Sequence, residues 1–283
     1  MGNLRQKIVG LSRLCADGIA VRNRGSSRNR ISFREFPAGW ESAIRASSGY
    51  SDPGIVDAVR HASAQVRDGK VKFERDGVTF SQIQYAWPLL AGLLLSSVRN
   101  DASINMLDFG GALGSSYFQN RKYLKYLQSV NWMVVEQPEF ADIGTKEFSS
   151  DELTFHKTFE AASAHAEPSV VLFGSSLQYL GDPFQQLQKA GLSGASDLII
   201  DRTPMHEGPD DLVVLQKVPN NIYDACYPAW IFSRRKLLSS LAKHWTILEE
   251  FPSIGGQRTT DRDTLFEWRG IHLVRNSSAA III

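Results

Sequence analysis

The chain has 283 residues, of which 43% are hydrophobic and 22% charged, with a formal net charge of +1. These proportions exclude collagen-like, disulfide-stapled and largely disordered chains, and leave room for a full-sized core in one large or two smaller domains. The charge is unevenly spread: residues 1–34 hold eight basic residues against Asp17 alone, so a basic arm precedes a mildly acidic body.

That arm, Arg-, Ser- and Asn-rich, is expected to be mobile and solvated, and its charge suits peripheral contact with an anionic membrane or another acidic partner. Residues 35–102 read as a helical region. Gly39–Ser47 has a helical composition. Pro53 opens a second helix with Ser51 or Asp52 as its cap and Ile55, Val56 and Val59 as its apolar face. Val71–Phe80 alternates around Asp76-Gly77 as a short hairpin. Ile83–Val98 is apolar on most sides and predicts a buried helix, with Pro88 in its first turn or at a kink.

From residue 103 to 283 strands and helices alternate. Apolar runs at Ile104–Phe109, Trp132–Val135, Leu153–Phe155, Val170–Phe173 and Leu198–Ile200 predict a parallel sheet covered on both faces. After a helix near Ser233–Lys243 come two longer strands, Trp245–Phe251 and Leu265–Val274. No crossover helix fits between them, so they form an antiparallel pair at one sheet edge. The longest apolar stretch, Tyr85–Leu95, is shorter than the roughly 20 residues a membrane helix needs. No apolar signal segment follows the start. Cys15 and Cys226 are the two cysteines, and no Cys, His or acidic cluster has metal-ligand spacing. A reduced, cytoplasmic, metal-free chain is the expectation.

The most informative stretch is Leu107-Asp108-Phe109-Gly110-Gly111-Ala112-Leu113-Gly114-Ser115-Ser116, where a strand ends in an acid, a glycine loop turns and a helix starts. Glycines at 110, 111 and 114 allow positive φ and let a ligand approach the backbone. A dinucleotide fingerprint fails, because Phe109 stands at its first glycine position. Asp108 would repel a pyrophosphate but suits a cation, and S-adenosylmethionine carries both an ammonium and a sulfonium. Glu136 closes the second strand, where a carboxylate can accept hydrogen bonds from ribose hydroxyls.

These features resemble class I S-adenosylmethionine-dependent methyltransferases over residues 103–283. Most of the chain also resembles an uncharacterised methyltransferase family of bacterial surface-polysaccharide gene clusters. The motifs are LDFGGALGSSYF (107–118), WMVVEQP (132–138), SSLQYL (175–180), DRTP (201–204), QKVP (216–219), NIYDACYP (221–228) and the segment from Trp40 to Tyr50. The resemblance implies a Rossmann-like α/β fold with seven strands in the order 3-2-1-4-5-7-6, the last pair antiparallel, and an N-terminal helical extension. It also implies a cofactor at the carboxyl ends of the first strands and places Ser175, Gln178 and Tyr179 near the methyl group.

The segment after the fifth strand supplies Asp201, either as chemistry or as a brace with Arg202, and His206, either as a general base or as a surface residue, with alignment of acceptor and methyl serving where no base is used. Phe159 stacks on adenine or joins the core of the following helix. Asn220–Trp230 has the composition of a lid or an acceptor-binding loop, or is an ordered structural connection. The implied reaction is O-methylation of a carbohydrate or other small acceptor in surface-glycan biosynthesis. The alternatives are a non-catalytic Rossmann-like binding module or a nucleic-acid methyltransferase, and the acidic body disfavours nucleic acid.

Overall fold

The computed structural model describes residues 31–47, 53–218 and 225–276. The arm over residues 1–30, the expected caps Ser51 and Asp52, and the first half of the expected lid at residues 220–224 lie outside the described residues.

A ten-stranded sheet contains five parallel strands, β4 (Ser103–Phe109), β5 (Ser129–Val135), β6 (Leu153–His156), β7 (Val170–Gly174) and β8 (Asp197–His206). They run in the order β6-β5-β4-β7-β8, with β6 at one edge of the sheet. β12 (Leu265–Arg275) lies antiparallel to β8, and β11 (Trp245–Thr259) pairs antiparallel with β12. The two late strands are therefore an antiparallel pair at the edge. The sheet has three strands more than the seven expected: β1 (Ser32–Glu35), β9 (Leu212–Val218) and β10 (Ala225–Ser233), joined antiparallel as β1-β9-β10. Arg34, counted with the arm, thus belongs to a strand. Much of the expected lid is strand as well.

The additional strands attach through a second departure from expectation. Leu198–Ile200 is only the first part of β8, and Asp201 to His206, read as a loop, continue the strand. β7 ends at Gly174 opposite Asp201, and beyond it β10 pairs parallel with Met205 and His206 on the vacated side. β12 runs along the other side throughout. Both flanks of the extended β8 therefore find backbone partners, which overrides the polar, proline-containing composition of the segment.

Helices cover both faces. Pro53–Arg67, Trp87–Arg99, Ser115–Leu124 and Pro138–Glu147 lie on one; Phe159–His165, Pro183–Leu192 and Arg234–Leu241 lie on the other. Alternation along β4 decides which residues meet which layer: Ile104 and Met106 join the first cluster and Leu107 the second, so Asp108 projects toward the first layer. Pro88 sits in the first turn of its helix, where a missing N–H costs nothing. The hairpin of β2 (Phe73–Arg75) and β3 (Val78–Phe80) turns at Asp76 and Gly77, both at positive φ. Residues 53–99 share one core with the sheet, so the helical region is a layer of the main fold. Among the described residues no helix is long and apolar enough to cross a membrane, and no group of three or more His, Cys, Asp or Glu residues could hold a metal ion.

Candidate functional site

In an open α/β sheet, ligands sit beyond the carboxyl ends of the parallel strands. Backbone strain marks the same place here. Among the described residues, seven non-glycine residues have positive φ, and three of them lie together: Ala112 (50°) past the end of β4, Ser175 (68°) past the end of β7, and Arg202 (51°) within β8 beside the end of β7. Left-handed backbone at an ordinary residue costs about 1 kcal/mol and persists where the surroundings impose it, commonly at ligand sites.

The glycine loop forms the first wall. Gly110 and Gly114 have φ of 74° and 88°. A Cβ on Gly110 would stand 2.4 Å from the Ser176 Cβ, and one on Gly111 would stand 2.6 Å from the Asp108 carboxylate. These glycines are required by what packs against them. The Gly110 N–H donates to the Val135 carbonyl at 2.8 Å, and the Ser176 hydroxyl donates to the Phe109 carbonyl at 2.6 Å, tying β4, β5 and the β7 loop together.

Asp108 lies beneath this loop, 1% exposed. Its Oδ2 accepts the Trp132 indole N–H at 3.0 Å. Burial pushes its carboxyl up to about 7, with Glu136 adding to the rise, while the Trp132 hydrogen bond and the Arg202 charge act the other way. Glu136, just past β5, accepts the N–H groups of Ala112 (3.2 Å) and Gln137 (2.8 Å). Burial raises its pKa as well. Two accepted bonds leave a carboxylate with capacity for two more. A third acid had no signal in the sequence: Glu74 of β2, 2% exposed, accepts the hydroxyl of Ser115, the first residue of the helix after the loop. Burial lifts Glu74 to about 7. Asp108, Gly110, Gly111, Gly114 and Glu136 are thus brought together, with buried or half-buried carboxyls and, close at hand, one guanidinium.

The second wall comes from β7 and β8. Residues 201 and 202 stand opposite the single residue Gly270 of β12, because the pairing passes from Thr203–Arg269 to Ile200–Ile271. That is a β-bulge, which re-aims side chains. It directs the Arg202 guanidinium to the Gly174 carbonyl at 3.1 Å. The Ser175 N–H returns a bond to the Asp201 carbonyl at 2.8 Å. Gln178, 1% exposed, donates through Nε2 to Ser175 Oγ at 3.0 Å. Its Oε1 has no hydrogen-bond partner among the described residues.

Three of the candidate side chains have structural partners here. Asp201 has the contacts of the brace that the sequence allowed: it is 2% exposed, its carboxylate accepts the Ser253 hydroxyl, and Arg202 Nε lies 3.6 Å away. Ser253, on β11, had no sequence signal. His206 lies five residues along β8 from Asp201, about 16 Å in strand geometry. Its Nδ1 accepts the Gly208 N–H at 3.2 Å and its Nε2 sits 2.8 Å from the Asp210 carbonyl, so Nε2 carries the proton and no accepting nitrogen remains. It braces a turn. His206→Gln is therefore expected to leave kcat within about threefold of the parent; a loss of a hundredfold or more, with an unchanged melting temperature, would restore a catalytic role. Phe159 is buried in the second core cluster near Phe109, so its ring serves packing.

Tyr179 lies in a short 3-10 helix after β7, and its hydroxyl donates to Gln216 Oε1 at 3.2 Å. Gln216 donates in turn to the Tyr227 hydroxyl at 3.2 Å. This chain links the β7 loop to the β9–β10 extension. Trp40 stacks on Trp230 of β10 at 5.2 Å and 2° between planes, and the Trp230 indole donates to the Leu180 carbonyl at 3.0 Å. A hollow of about 520 Å³ lined by Glu207, Pro209, Arg234, Arg235, Leu238 and Ser239 lies past His206 and contains none of the glycine-loop residues.

Neither a family model nor a curated protein matches the sequence. Among solved structures, the chain is similar to the N-terminal domain of EvdMO1, crystallised in the presence of SAH and D-fucose, at 13% identity over 76% of this chain and 95% of that one, TM-score 0.45. It is similar to an S-adenosylmethionine-dependent methyltransferase from Clostridium acetobutylicum ATCC 824 at 8% identity over 68% and 92%, TM-score 0.42. It is also similar to the [4+2]-cyclase SpnF at 11% identity over 78% and 94%, TM-score 0.44.

Proposed function

We propose that the chain is an S-adenosylmethionine-dependent methyltransferase acting on a hydroxyl of a carbohydrate or similar small acceptor in surface-glycan biosynthesis. The observation that carries the reading is Asp108: a carboxyl raised to about 7 by burial, lying directly under a glycine loop. A cationic ligand above such a group restores its charge, whereas an anionic one would not.

S-adenosylmethionine, when bound, supplies a methyl group on a positively charged sulfur, which a nucleophilic oxygen or nitrogen can displace. Asp108 would neutralise the charge of its cationic end. Glu136 would accept the ribose hydroxyls with the lone pairs that Ala112 and Gln137 leave. Gly110, Gly111 and Gly114 would hold the backbone open for close approach. Ser175 and Gln178 at the top of β7 and the β8 bulge frame the acceptor. With His206 and Asp201 bound to structural partners, the acceleration comes from alignment of the acceptor oxygen with the methyl group and from exclusion of water. The carbohydrate assignment is supported by the motifs shared with the surface-polysaccharide family and by the half-buried Trp40–Trp230 pair, since aromatic faces suit sugar rings.

Incubating the protein with methyl-labelled S-adenosylmethionine and separate panels of sugars, nucleotide sugars, small amines and nucleic acids tests the reading. Label is expected on a sugar oxygen. Label on nitrogen or nucleic acid would overturn the acceptor class.

A further inference from the structure

The helix Trp87–Arg99 covers the sheet with one side and is apolar on the other. Trp87, Ala91, Leu95 and Val98, spaced by four, four and three residues, form one exposed stripe along about 16 Å of helix. Trp87 is 58% exposed, Leu95 41% and Val98 76%. A helix that covers a core normally turns polar residues to solvent, and this one does not. The helix Ser115–Leu124 and its following turn extend the surface. Tyr85 lies 4.8 Å from Trp87 and 5.4 Å from Tyr123, and Tyr126 is 77% exposed. Together these segments hold four of the nine large apolar side chains exposed among the described residues.

The charges around this face have one sign. Residues 81–100 and 109–131 contain no Asp or Glu. Arg121, Lys122 and Lys125 are exposed, with the Lys122 ammonium 5.6 Å from the Tyr123 ring and the Lys125 ammonium 4.9 Å from the Tyr126 ring. Arg99 is neutralised by Asp197, and Asp101 lies past the helix end.

We infer that this face docks on an anionic phospholipid bilayer, with Trp87, Leu95, Val98 and Tyr126 entering the headgroup region and Lys122 and Lys125 meeting lipid phosphates. Exposed Trp and Tyr flanked by Lys are the composition of the membrane–water interface. The charge selects the occupant. A second copy set face to face would bring like charges together, and the basic segment of residues 1–30 would meet the same repulsion. A negative lipid surface is complementary. This inference does not rest on the proposed reaction.

The test uses the full chain with sedimented vesicles of phosphatidylcholine alone or mixed equally with phosphatidylglycerol. Binding is expected to the mixed vesicles and to fall steeply with salt. Each basic residue near such a surface contributes a factor of roughly five in partition, so Lys122→Gln/Lys125→Gln is expected to bind about 30-fold more weakly. Trp87→Ser/Leu95→Ser/Val98→Ser is expected to abolish measurable binding. All five side chains are exposed, and unchanged melting temperatures for both variants establish that they fold. Unchanged binding by both would overturn the inference and assign attachment to another surface. So would failure of the parent to bind, or a concentration-dependent dimer abolished by the triple substitution in place of vesicle binding.

Discussion

Asp108→Asn is expected to stabilise the ligand-free protein at pH 8 while removing its affinity for S-adenosylmethionine. In the folded chain burial raises this carboxyl from 3.8 to about 7. Between these values the folded state holds a proton that the unfolded state has released. Stability therefore falls as pH rises through the window, by about 1.4 kcal/mol per unit for one group. The full shift sets an upper bound of about 4 kcal/mol at pH 8, and partial solvation brings the expected loss to about 1–3 kcal/mol. Asn carries no charge, and its carbonyl oxygen can still accept the Trp132 indole N–H. The parent and the variant should melt together only below about pH 4, under the unfolded carboxyl's own value, and the variant roughly 2–8 °C higher at pH 8. Glu74, also raised to about 7 by burial, leaves a residual pH dependence of the same sign in the variant. A variant less stable than the parent at both pH values would contradict the buried, poorly solvated carboxyl.

Asp197→Ala is expected to do the reverse. Asp197 starts β8, at the amino ends of the parallel strands and so opposite the glycine loop, and is 0% exposed. Its Oδ1 meets His272 Nε2 at 2.7 Å and also pairs with Arg99, and its Oδ2 accepts the Ser196 hydroxyl at 2.7 Å. Burial pushes this carboxyl up, but the His272 and Ser196 hydrogen bonds and the Arg99 charge outweigh it, and the net shift is downward. Its stabilisation is present above the ordinary carboxylate range and is lost as pH falls through the lowered value. Removing Asp197 strands the Arg99 guanidinium, whose Nε already lacks a partner among the described residues. Breaking such a pair costs about 3–5 kcal/mol, a fall in melting temperature of roughly 6–15 °C at pH 7. Cofactor affinity below the transition should be unchanged. Calorimetric melting and cofactor titration of one sample check both; a lost affinity would couple this cluster to the site.

The two variants separate what the sequence reveals from what it conceals. Asp108, the glycines and Glu136 are legible because an apolar strand, a turn and a helix start follow one another within ten residues. The middle strands are legible for the same reason, as apolar runs bounded by breakers. β9 and β10 carry their own polar and proline residues, Pro228 among them, and become strands because β8 and β1 supply partners that no local pattern announces. The same pairing carries His206 away from the glycine loop. Glu74 reaches Ser115 from 41 positions upstream and Ser253 reaches Asp201 from 52 positions downstream, distances over which residue spacing conveys nothing. The apolar stripe on Trp87–Arg99 is visible in the sequence as helix but reads there as core, since only tertiary packing shows which side is left uncovered.

Calorimetric titration of S-adenosylmethionine into the parent and Asp108→Asn at pH 8 tests the central claim most directly. The expected result is one-site binding to the parent and at least about 100-fold weaker binding to the variant, the scale of losing a desolvated charge partner. S-adenosylhomocysteine, which lacks the positive sulfur but keeps the ammonium, should lose a comparable factor. No binding to the parent at high micromolar cofactor, or equal affinity of the two proteins, would contradict the assignment of this site.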